Sequence, residues 1–186
     1  MGFITLEEYK NYAEITSTNE DRKLINLIEN STDFIKVYCG LDFTQNTYTE
    51  ELDLEGRYVF LSQLPVVSVT SVKYYDDTGT LSDAVDAAEY RVFKEEGMLS
   101  VSYDLYALIY YSKYTEKQVQ VVYQAGYSTI PNSIKQATMD LVKYYQKSEY
   151  LPVMSANVRT IDYDVMHSVS LPPHIRRMLS IYRKIE

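Results

Sequence analysis

Along the chain, apolar residues recur first at helical spacing, then at strand spacing, then at helical spacing again. Thr5-Leu6-Glu7-Glu8 has the form of a capping box. In that motif the threonine hydroxyl accepts from the third helical N–H while the glutamate reaches back to the cap. A helix over 5–14 is predicted. Ser17-Thr18-Asn19-Glu20 repeats the signal, and Leu24, Leu27, Ile28, Ser31, Ile35 and Tyr38 follow on one face. This predicts a second helix over 18–39, closed by a left-handed cap at Gly40. Arg22, Lys23, Asn26, Glu29, Asn30 and Asp33 form its water-facing side.

From residue 48 to 127 the period shortens towards two. Leu52, Leu54, Tyr58 and Phe60 flank Glu55-Gly56 and read as a hairpin. Val67, Val69, Val72 and Tyr74 follow Pro65, and their alternation slips near Thr70-Ser71, as at a β-bulge. Asp76-Asp77-Thr78-Gly79 is a turn. Tyr90–Phe93 and Met98–Val101 flank Glu95-Glu96-Gly97 as another hairpin. Val119, Val121 and Tyr123 alternate with polar residues as a half-buried strand. Tyr103–Tyr114 fits either a strand or a short helix. Helical spacing returns over 131–147, with Pro131 suited to a first turn and Ile134, Ala137, Thr138, Leu141, Tyr144 and Tyr145 on one stripe. Residues 149–170 show no steady period. Leu171-Pro172-Pro173 then opens a last short helix.

The fold class expected is therefore α+β: mainly a helical bundle, with an inserted β-rich, hairpin-containing region and a C-terminal arm ending in a short helix. The corresponding division is a body over 1–148 and an arm over 149–186.

Composition narrows the function. The chain has 186 residues, 46% hydrophobic and 24% charged, which are globular values. No apolar run approaches the ~20 residues that span a bilayer, and the N-terminus lacks the basic and apolar regions of a signal peptide. The expectation is a chain made in the cytoplasm with no membrane partner. The net charge of −8 is unevenly spread: residues 1–55 hold four basic and twelve acidic side chains, whereas 171–186 hold Arg176, Arg177, Arg183 and Lys184 against Glu186. An acidic body argues against a protein that tracks nucleic-acid phosphates.

No catalytic constellation stands out. The single cysteine, Cys39, reads as a buried thiol at a helix C-terminus, where the dipole raises its pKa. No serine lies in a nucleophile elbow, and no glycine-rich phosphate loop is present. Asp162, Asp164 and His167 have ligand spacing but no supporting glycine, and read as a solvated stretch. The acidic pairs Glu7-Glu8, Glu50-Glu51, Asp76-Asp77 and Glu95-Glu96 sit at helix starts or turns, where acids are ordinary. No enzyme, cofactor or metal is expected.

The 20 tyrosines, with no tryptophan, are the unusual feature. Tyr103, Tyr106, Tyr110, Tyr111 and Tyr114 crowd one segment. Tyrosine joins a rigid apolar face to a polar tip and is enriched at interfaces, so a subunit or partner interface is favoured over a sugar-stacking platform. The terminal helix carries Ile175, Leu179 and Tyr182 on one face. Two readings stand: packing back on its own domain, or docking in a groove on another protein.

The chain resembles the head–tail connector (adaptor) family of tailed bacteriophages. The resemblance rests on Thr5–Lys10, Asp21, Leu24, Ile28, Ile35, Tyr38, Cys39 and Phe43. It continues through Leu64-Pro65, Val67, Val69, Val72, Tyr90–Val92, Gly97–Leu99, Val119–Tyr127, Ile130-Pro131 and Ile134–Ala137. It implies a structural virion protein at the head–tail junction: a ring, dodecameric in the virion, below the portal, with genomic DNA passing through its lumen. It also implies a portal partner, a downstream neck or tail partner and a C-terminal segment that grips the portal. Leu171, Ile175, Arg176, Leu179, Tyr182 and Arg183 are the docking residues expected on that basis. Tyr103, Tyr106, Tyr110 and Tyr111 are the expected subunit or neck interface. Removing 171–186 is expected to abolish portal binding and leave the fold intact. The alternatives are another neck or tail-completion protein, or a tyrosine-based carbohydrate-binding module.

Overall fold

A computed structural model describes residues 2–111, 118–146 and 171–183. In chain order its main elements are α1 (Leu6–Ala13), α2 (Asp21–Cys39), β1 (Asn46–Leu52), β2 (Tyr58–Phe60) and β3 (Val66–Tyr74). Then come β4 (Tyr90–Phe93), β5 (Met98–Val101), α3 (Tyr103–Tyr110), β6 (Val119–Ala125), α4 (Asn132–Gln146) and α5 (Pro173–Ser180). The fold is α+β, as the periodicities imply. The chain divides into two compact units, Met1–Gly40 with Ile130–Glu186, and Leu41–Thr129.

The first unit is helical. The Thr5 hydroxyl accepts from the Glu8 N–H at 3.1 Å, and the Glu8 carboxylate accepts from the Thr5 N–H at 2.7 Å, so the capping box opens α1 as expected. Gly40 closes α2 with a φ of 70°, a left-handed conformation that a side chain disfavours. The start of α2 is a correction. It begins at Asp21, not residue 18, and its N-cap Glu20 makes no side-chain cap hydrogen bond. Ser17 accepts instead from the Asn19 N–H at 3.2 Å, and the Thr18 carbonyl from the Asp21 N–H at 3.2 Å. The Ser-Thr-Asn run closes on itself as a turn, because short polar side chains compete with the helix for backbone groups.

The second helix, α4 and α5 pack around Leu24, Ile28, Ile35, Ile134, Leu141, Ile175 and Leu179, and Tyr9 of α1 is buried beside them. Polar ties cross this core. Tyr9 donates to Gln146, Tyr12 to Asp140 at 2.7 Å, and Lys135 pairs with Glu8 at 2.7 Å. The buried hydroxyls of Thr32 and Thr138 each donate to the carbonyl four residues back at 2.8 Å, so neither is left unsatisfied.

The second unit holds two antiparallel three-stranded sheets, ordered β1-β6-β3 and β2-β5-β4. The central strand β6 turns Val119, Val121, Tyr123 and Ala125 into the core, the alternation its sequence predicts. Two register shifts interrupt β3, one of them at the expected bulge between Val69 and Ser71. The β4–β5 hairpin forms as expected, turning at Gly97 with a φ of 63°.

The expected hairpin about Glu55-Gly56 does not form. β1 pairs with β6 and β2 with β5, and only an isolated bridge joins Glu55 to Tyr58. The apolar flanks go to different sheets because each has a better partner far along the chain. Tyr123 ties the unit together: its hydroxyl donates to Glu50 at 2.8 Å and accepts from the Gln63 N–H at 3.0 Å.

Candidate interaction surfaces

Among the described residues, no three or more His, Cys, Asp or Glu side chains form a group able to hold a metal ion. Asp162, Asp164 and His167 lie outside the described residues. Among the described residues, burial and hydrogen bonding raise the perturbed tyrosines and the cysteine and lower the perturbed carboxylates. Burial pushes Cys39 up to about 11 and Tyr9 to about 12. Burial also raises Tyr123, and hydrogen bonds within the 76–80 turn lower Asp76. Cys39 is thus the buried thiol expected, though desolvation is the main cause of its shift. No described helix is long and apolar enough to cross a membrane.

What the structure presents instead is surface. The ambiguous tyrosine segment is helical over Tyr103–Tyr110, capped by the Ser102 hydroxyl, which accepts from the Leu105 N–H at 3.1 Å. Tyr114 lies outside the described residues. Only Leu105 and Ile109 of α3 are buried. Tyr103 is 73% exposed, Tyr110 61% and Tyr111 80%, with Leu108 exposed and Tyr106 half-buried beside Tyr110. Arg57 lies over the Tyr103 ring at 3.9 Å, and Tyr111 meets Tyr110 edge-on at 5.4 Å. A helix apolar on nearly all sides belongs in a core. This one has its outer side open, and such patches mark contact sites.

The smaller sheet adds a surface that the sequence reading missed. Val59, Leu61, Leu99 and Val101 face the core. The register sets Phe60, Met98 and Phe93 in one row across the opposite face, with Tyr58, Ser100 and Arg91 in the next. Phe60 and Tyr58 are exposed, and Arg91 lies 5.0 Å over the Phe93 ring. Tyr, Phe, Met and Arg are the side chains enriched at interfaces. The signal was present: in Tyr58-Val59-Phe60 both alternating sets are apolar, which a strand open to water on one face does not need.

The helical unit presents the opposite chemistry. In α5 the stripe Ile175 and Leu179 is fully buried. Tyr182 is half-buried and shares a 2.7 Å hydrogen bond with Ser133, and Leu171 is half-buried. The outward side of this helix holds exposed Arg176 and Arg177, followed by Ile181 at 79% exposure, while the neighbouring Arg183 lies over Tyr38 at 5.7 Å. The expectation that 171–186 can be removed without harm to the fold is overturned. Truncation would take two fully buried side chains out of the helical core.

Comparison with known proteins identifies the fold. The model of the head completion protein family matches residues 2–185. A head completion protein of Escherichia phage T5 is 22% identical over 188 residues, spanning all of both chains. Among solved structures, a chain from the neck of an empty gene transfer agent particle, computed with C6 symmetry, superposes with a TM-score of 0.62 at 14% identity, covering 98% of this chain and 90% of that one. One from the neck of the native particle, computed with C12 symmetry, gives 0.60 at 14% identity, covering 97% and 88%. The adaptor resemblance read from residues between Thr5 and Ala137 is borne out and extends over nearly the whole length: the chain belongs to the head completion protein family.

Proposed function

We propose that this chain is a structural, non-enzymatic head–tail adaptor. Copies of it form a ring below the portal, join the capsid vertex to the neck or tail and leave a lumen for the genome. The observation that carries the reading is the match of the head completion family to residues 2–185. The fold shared with neck chains from particles computed with C6 and C12 symmetry supports the ring, and twelve copies fit a twelvefold neck.

The physics of the surface supports the same reading. A ring needs a heterologous interface whose rotation closes, and exposed apolar side chains occur on both units. The net charge of −8 opposes tight binding of DNA in transit, with a reach of about 8 Å at physiological salt. The exposed tyrosines Tyr103, Tyr110 and Tyr111, with Phe60 and Tyr58, form the surface we assign to the downstream neck or tail component. Any partner of the terminal helix must use its outward side, since Ile175 and Leu179 are buried.

A particle assay tests the proposal. Phage production without this chain is expected to yield heads that package DNA but carry no tails, and adding the purified chain should restore tail joining. Tailed, infectious particles formed without it would overturn the reading.

A further inference from the structure

Three large apolar side chains are exposed among the described residues of the helical unit: Ile25, Val37 and Ile181. Each sits beside charge. Ile25, Glu29, Asp33 and Val37 follow one another at intervals of four along α2, so they form a single ridge on its outward side. All four are exposed, and the two carboxylates make no ion pair among the described residues. On the other helix, Arg176 and Arg177 are exposed and make no ion pair among the described residues, and Ile181 lies one turn beyond Arg177.

The two surfaces match in sign and kind: two carboxylates between apolar side chains, and two guanidinium groups ahead of one. They form no ion pair with each other within one copy. Both α2 and α5 turn their buried positions towards a shared core, so their outward sides face away from it. A second copy supplies the missing partner, and a contact between unlike faces is the heterologous kind from which rings are built. Guanidinium groups suit such carboxylate contacts through their planar, forked donors.

We propose that the outward side of α5, through Arg176, Arg177 and Ile181, docks on the Ile25–Val37 ridge of the neighbouring copy. The proposal rests on the ring reading above and assigns this basic side to a second copy of the chain, not to the portal.

Charge reversal tests it by native mass spectrometry of the full chain, alone and with purified portal rings. One variant carries Glu29→Arg and Asp33→Arg, the other Arg176→Glu and Arg177→Glu. All four sites are exposed, and circular dichroism checks that both variants fold. Each variant alone should lose the oligomer that the wild type forms. An equimolar mixture should regain it, because the two variants alternate around an even-numbered ring with every contact again between opposite charges. The chain with all four changes should regain it as well. Assembly of either single-face variant at the wild-type level would overturn the proposal and leave the ring reading standing. Loss without recovery in the mixture would also overturn it and point to the portal as the occupant. A wild type that forms no oligomer in either condition would overturn the ring reading itself.

Discussion

Two helices of eight residues, α3 and α5, meet the same physical problem in opposite ways. A helix so short has little stability of its own and needs a surface to lie on. Each buries two apolar anchors, Leu105 and Ile109 in α3, Ile175 and Leu179 in α5. The rest of α5 is mostly charged or polar: its apolar stripe is consumed inside the helical unit, and what faces outward is basic. The rest of α3 is largely aromatic, so after its anchors are buried it still presents Tyr103, Tyr110 and Tyr111 to solvent. Burial alone therefore does not identify a contact surface. What remains after the anchors are buried does.

The sharpest way to break this comparison is to remove one side chain from each helix. Leu179→Ala empties a fully buried site and is expected to destabilise the protein by about 2–5 kcal/mol in urea unfolding. Leu108→Ala, on the exposed side of α3, should change stability by less than about 0.5 kcal/mol. Equal costs would erase the distinction.

A smaller effect is expected within the β unit. Tyr123→Phe removes the acceptor of the Gln63 N–H and a donor to Glu50, and should cost about 1–3 kcal/mol. An unchanged denaturation midpoint would show that this hydroxyl does not hold the unit together.

The capping box gives a finer measure of the helical unit. Thr5→Ala should cost about 1 kcal/mol. Glu8 is held below its ordinary 4.5, first by its hydrogen bond from Lys135 and next by the Thr5 N–H. A depressed folded value adds stability that is complete above the unfolded pKa and is lost as pH falls through the folded one. Stability should therefore decline as the pH drops below 4.5. Glu8→Gln should flatten that part of the profile, as read by thermal melts across acidic pH. The smallest effect on stability belongs to the double variant Tyr110→Ser, Tyr111→Ser, within about 0.5 kcal/mol. The same variant should fail to join tails, and full tail joining would remove the neck role assigned to this face.

Local signals were legible in the chain and distant ones were not. Thr5-Leu6-Glu7-Glu8, Gly40, the Glu95-Glu96-Gly97 turn and the period of β6 each act over a few residues, and each appears where the sequence places it. The pairing of β1 with β6 joins Asn46 to Ala125, a choice made by packing across the whole unit, and the expected Glu55-Gly56 hairpin lost to it. The tyrosine crowding on α3 was visible as composition. The Phe60–Met98–Phe93 row was not, since it exists only once the register of three strands is known. For α5 the stripe was legible and its partner was not: helical spacing shows which side is apolar, not which surface covers it.

Copies of this chain are proposed to form a ring at the head–tail junction. Cryo-electron microscopy of the intact particle neck tests this proposal most directly. A closed ring of copies of this fold is expected, directly below the portal and around the DNA path. A neck in which this chain is absent, or is present as isolated copies away from the portal, would contradict it.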